Sequence, residues 1–147
     1  MATMTDPEAE RQPDTRARRV SLASFGALTM LIVQFILGAA YGHYGTRPTS
    51  TKSVGMFSSP LLAIHVVLGM LIILAAIMLV VRAIQIKEIP VVVTSVVGLL
   101  AVAGAFAAGE SYIGNGHHGT SFYMAITTAV AMLCYGASVL MLGGKRS

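Results

Sequence analysis

Four histidines and one carboxylate hold most of the chemistry open to this chain. His43 lies in AAYGHYG, His65 stands alone in the uncharged run 60–81, Glu110 lies in AAGESY, and His117 and His118 are adjacent in GNGHHGTSFYM. A neutral imidazole is the commonest side-chain ligand for a metal, and two imidazoles on different helices can hold one haem iron from both faces. The single cysteine, Cys134, lies in an apolar run. There is therefore no disulfide framework, no Cys-x-x-Cys redox pair and no Cys-x-x-Cys-His attachment for c-type haem, so any cofactor is held noncovalently. Met30, Met70, Met78, Met132 and Met141 are spread along the chain and form no paired motif, so they read as apolar filler and not as copper ligands. No glycine-rich phosphate loop, no Ser-His-Asp set in a suitable setting and no intramembrane carboxylate pair points to another reaction.

The elements that must position these groups are apolar. Of 147 residues, 55% are hydrophobic and only 11% charged, against about 25% charged in soluble domains. Four runs, about 20–42, 60–81, 89–109 and 119–142, are long enough to cross a hydrocarbon core of roughly 30 Å at about 1.5 Å per residue. They are continuously apolar with no alternation, which excludes barrel strands and predicts helices. Pro60 and Pro90 suit first helical turns, and Arg82 reads as a stop. The expected fold is all-α: an integral membrane four-helix bundle in up-down-up-down, antiparallel order. Residues 1–19, polar and with charges of both signs, read as a disordered tail, and residues 143–147 as a short polar end. Arg18-Arg19 ahead of an apolar stretch, with Gly38 and Ala40 placed as in a cleavage site, also fits a signal peptide, a weaker reading because the run is long for one.

Eight basic residues, Arg11, Arg16, Arg18, Arg19, Arg82, Lys87, Lys145 and Arg146, fall on one side of these spans. Only Arg47 and Lys52 fall on the other, so the positive-inside bias puts both termini in the cytoplasm of a plasma (inner) membrane. The net charge of +4 thus bears on orientation, and nucleic acid is excluded as a partner. All four histidines and Glu110 then map to the outer half. His65 sits about one and a half turns inside the second span, with Gly69 one turn later on the same face. An intramembrane ionisable residue is a functional hypothesis by default. Its alternatives here are a neutral imidazole hydrogen-bonded to a neighbouring helix, through Gln34 or Thr127, and a metal or haem ligand. Gly69 leaves room for a flat macrocycle or for a close helix crossing. Adjacent helical residues point about 100° apart, so at most one of His117 and His118 faces the bundle interior. His43, between Tyr41 and Tyr44, fits an aromatic interfacial belt or a haem-propionate contact.

Taken together, Gln34-Phe35-Ile36-Leu37-Gly38, His65 with Gly69, Gly104-Ala105-Phe106 and His118 resemble one four-helix half of the haem A synthase family. Small b-type haem bundles of the cytochrome b561 kind share the general arrangement. The resemblance spans about residues 22–142 and implies an antiparallel four-helix bundle in which His65 and His118 ligate a haem. It also favours His118 over His117 as the inward residue. The chain departs from that family at Leu62, where an acidic residue usually precedes the histidine by three positions, so the resemblance implies haem binding without the hydroxylating activity.

The leading expectation is a membrane protein that binds b-type haem near the outer leaflet through His65 and His118, with Gly69, His117 and His43 beside the cofactor. Its role would be electron transfer, haem handling or redox sensing. The rival is a noncatalytic membrane subunit or assembly factor docked on a respiratory or transport complex through small-residue faces. Homo-oligomerisation is compatible with both.

Overall fold

A computed structural model of the chain describes residues 7–45, 55–115 and 118–144, the side chains of 7–14, 115 and 118 excepted. Its regular structure is four helices: α1 (Pro7–Tyr44), α2 (Pro60–Ile86), α3 (Ile89–Asn115) and α4 (His118–Gly143). Each contains a stretch long and apolar enough to cross a membrane. All-helical structure is what a dry environment demands, because a helix satisfies its own backbone donors and acceptors.

The ends are set locally. Ser59 caps α2, its hydroxyl accepting a hydrogen bond from the Leu62 N–H at 3.2 Å, with Pro60 in the first turn where its missing N–H costs nothing. Arg82 does not stop this helix, which runs a further turn to Ile86 and ends where Lys87 adopts φ 62° and donates its N–H to the Ile84 carbonyl. A side-chain charge at the membrane edge does not break a helix; a left-handed residue does. Likewise α1 reaches back to Pro7, through much of the segment expected to be a tail. Once the apolar span has nucleated a helix, adding residues of good propensity costs little, although Pro13 forfeits one backbone hydrogen bond. Helix α3 carries on past residue 109 to Asn115.

The four helices form a ring in chain order, α1 against α2 and α4, and α3 against α2 and α4, while among the described residues the diagonal pairs make no backbone approach. The inner face of the ring holds Val20, Ala27, Leu31, Ile72, Ala76, Leu79, Ala83, Val91, Val102, Ala131, Tyr135 and Leu142. The outer face is no less apolar: Phe25, Ile36, Leu74, Leu100, Leu133 (74% exposed) and Leu140 (76%) all point away from the core. A soluble monomer does not present an apolar surface of this extent. Lipid is the solvent that fits it.

Small and polar residues decide how closely the helices meet at the end carrying the Arg82–Lys87 turn. Tyr135 is fully buried, and its ring lies on the α3 backbone because residue 98 is glycine: a Cβ there would fall 2.7 Å from Tyr135 Cε1. Around it Ser24, Ser95 and Ser138 are also fully buried. The Ser138 hydroxyl is 2.8 Å from Thr94 Oγ1 and also donates to the Cys134 carbonyl, whereas the hydroxyls of Ser24, Ser95 and Tyr135 have no partner among the described residues. Three outcomes follow for thermal or denaturant unfolding in detergent. Gly98→Ala overpacks against Tyr135 and costs about 1–3 kcal/mol, while Gly26→Ala, with open space around its added Cβ, is neutral or stabilising. Tyr135→Phe removes a buried, unpaired hydroxyl and leaves stability unchanged or raised.

Candidate functional site

The opposite end of the ring is hollow. A cavity of about 480 Å³ opens there, lined by late α1, early α2, late α3 and early α4, within the range of small-molecule and cofactor sites, roughly 300–1,000 Å³. Its wall is mostly apolar, with Leu31, Phe35, Val66, Ile72, Val102 and Phe106 among its residues. The polar groups are few: Gln34, His65 and Thr128 in the wall, joined by Tyr41, His43, Glu110, Tyr112 and Ser121. At the far end, buried Tyr41, Leu62, Val66 and Ile113 pack together with Met56 and Leu61.

One cross-helix hydrogen bond organises the wall. Gln34 of α1 donates its amide N–H to the backbone carbonyl of His65 on α2 at 2.9 Å. Glycine at 69 leaves room for the amide: a Cβ would stand 3.1 Å from Gln34 Nε2, so Gln34 would have to give by a few tenths of an ångström. The sequence leaves Gly69 to a macrocycle or to a helix crossing. It serves the close approach of α1 through Gln34, and it lines the cavity as well. A second glycine does the same for the imidazole. A Cβ at Gly38 would lie 3.0 Å from His65 Cε1 and 3.6 Å from Nδ1, so the ring rests on the bare α1 backbone. His65 Nδ1 and Gln34 Oε1 are both buried and have no hydrogen-bond partner among the described residues. Neither expected partner serves the ring: Gln34 bonds the main chain, and Thr127 donates to the Tyr123 and Met124 carbonyls of its own helix.

The remaining expected residues divide. His43 is exposed, stacks edge-on against Tyr44 with ring centroids 4.7 Å apart, and lines the cavity. Tyr44, 82% exposed, fits an interfacial position, but Tyr41 is buried against Leu62, Val66 and Ile113 and so is no part of an aromatic belt. The reason is angular: three residues on from Gly38, position 41 faces the ring interior. Glu110 is exposed and lies at the cavity's edge. His117 and the side chain of His118 lie outside the described residues. The backbone of His118 opens α4 one turn before Ser121, whose successors Ala125 and Thr128 line the cavity. Among the described residues no three His, Cys, Asp or Glu side chains gather as a metal site. Sequence reasoning missed Tyr112, Met124 and Thr128 as lining residues. Their signal was the helical register: Thr128 follows Ser121 by seven positions and precedes Tyr135 by seven.

No family model matches the chain, and neither does any curated protein or any solved structure.

The packing at Gly38 is open to a direct check by NMR of histidine-labelled protein. Gly38→Ala shifts the His65 ring resonances, since the ring must give by a few tenths of an ångström, whereas Gly42→Ala, with nothing near its added Cβ, leaves them in place.

Proposed function

We propose that this chain is a multi-pass membrane protein that binds a b-type haem in the cavity, where His65 and His118 would hold the iron. The observation that carries this reading is the wall itself: an apolar hollow of about 480 Å³ with one half-buried imidazole, set against Gly38, its buried Nδ1 without a hydrogen-bond partner among the described residues. A neutral histidine with an unspent nitrogen in an apolar, roomy site suits an iron ligand better than a structural hydrogen-bonding role, in which both nitrogens would be used. Phe35 and Phe106 supply flat apolar surface for a macrocycle, and Glu110, His43 and Tyr112 supply polar groups. A helix order alternating in direction is supported by the lining, which takes late residues from α1 and α3 and early ones from α2 and α4. Under the positive-inside bias the cavity lies in the outer half of the plasma membrane, with both termini in the cytoplasm.

Bound haem would supply one-electron chemistry, and the protein's own part is to hold and insulate it. Gln34 fixes the α2 backbone at the ligand, Gly38 and Gly69 permit that spacing, and the apolar wall keeps water from the iron. Electron transfer, haem handling and redox sensing all fit such a site, with a respiratory-chain component as a suitable partner.

The test is an oxidised-minus-reduced optical spectrum of the detergent-purified protein, expressed with added haem, beside His65→Ala and His118→Ala. Low-spin haem bands are expected in the wild type, lost or converted to high spin in both variants. A folded, colourless wild type would overturn the cofactor and leave a noncatalytic docking subunit as the better account.

A further inference from the structure

The bundle has a second recess, away from the cavity and independent of the haem reading. It is a groove of about 280 Å³ between α1 and α2, lined by Ala23, Gly26, Ala27 and Met30 on one side and Ala75, Met78, Leu79 and Arg82 on the other. Its α1 wall is one helical stripe, since positions 23, 26, 27 and 30 are three or four residues apart. Along the helix axis that stripe runs about 10 Å. The floor is open: a Cβ built on Gly26 meets nothing within 4 Å. At one end the apolar walls give way to a cation. Arg82 is exposed and makes no ion pair among the described residues, and Arg19, exposed and one turn before Ala23, stands at the same end of the stripe.

An apolar channel that ends in unpaired guanidinium groups at the edge of a membrane-spanning segment has the charge and shape of one class of ligand. We propose that this groove binds an anionic phospholipid of the surrounding bilayer, an acyl chain lying between α1 and α2 and the phosphate held by Arg82 with Arg19. Guanidinium recognises phosphate through paired hydrogen bonds as well as charge, and basic pockets between membrane helices select anionic headgroups. The methionines suit a mobile chain, being flexible and polarisable.

The experiment is native mass spectrometry of the full-length protein in a neutral detergent, titrated with phosphatidylglycerol or with phosphatidylcholine. Wild type is expected to take up one phosphatidylglycerol about fivefold or more tightly than phosphatidylcholine. Arg82→Gln abolishes the preference and Arg82→Lys keeps part of it. Gly26→Leu, whose Cβ meets no protein atom within 4 Å, fills the groove and lowers uptake of both lipids. Equal binding of the two lipids overturns the proposal, as does a preference that survives Arg82→Gln. A preference lost in Arg82→Gln but untouched by Gly26→Leu is headgroup attraction without a groove and overturns it too. A wild-type dimer that Gly26→Leu converts to monomer assigns the groove to a second copy of the chain instead.

Discussion

Everything in this molecule follows from the absence of water around its middle. A backbone polar group left unpaired in hydrocarbon costs several kcal/mol, and that sum over about twenty residues leaves the helix as the only form these runs can take. Lipid tails are as apolar as leucine, so the hydrophobic effect cannot choose which helix face turns inward. Leu74, Leu100 and Leu133 face out as readily as Leu31, Leu79 and Leu142 face in, and Ala76, Ala131, Ser24, Ser95, Ser138 and Tyr135 lie inside with the latter. Close approach and polar contacts hold the ring together instead.

Those two forces act differently at the two ends. Around Tyr135 the inward residues are matched to one another: a full aromatic ring lies where Gly98 has no side chain, and Ser138 bonds Thr94 across α3 and α4. The interior is filled. At the other end Gly38 and Gly69 also bring α1 and α2 together, but the inward side chains there do not fill the ring, and the cavity is what is left. Between the halves, Leu31, Ile72, Val102 and Ala131 form an apolar plug, with the first three at the cavity floor. A packed half thus holds the helix spacing fixed for the hollow one.

Much of this was legible in the residue order. Four uncharged runs bounded by Arg19, Arg82 and Gly143 specify four helices, because length and lack of alternation admit no other spanning form. The convergence of Gln34, His65, Gly69 and Phe106 was legible too, since each lies near the same end of its span. Helix ends were harder: α2 outran Arg82 because termination depends on the φ angle of Lys87, and α1 extended to Pro7 because helix propagation ignores polarity. The work of Gly69 was legible only as two alternatives, a flat ligand or a close helix crossing. A glycine announces that space is needed but does not name what enters it, and only the arrangement in space identifies the Gln34 amide. Tyr41 and Tyr44 look equivalent in a linear motif, yet three residues of helix separate the buried ring from the exposed one.

The Gln34–His65 bond carries a further consequence for how the cavity wall behaves. It ties a side chain to a main-chain carbonyl, so it consumes neither nitrogen of the imidazole on the same residue. The His65 ring can take a ligand without giving up the Gln34 bond that joins α1 to α2. Had Gln34 bonded Nδ1 directly, filling the cavity and holding the helices would have competed for one atom. Because Gly38 presses on the ring only through van der Waals contact, the imidazole is confined in position yet left with hydrogen-bonding capacity in hand. A wall in which helix spacing is fixed by the backbone of a residue, while the same residue's side chain stays uncommitted, is preorganised for a ligand.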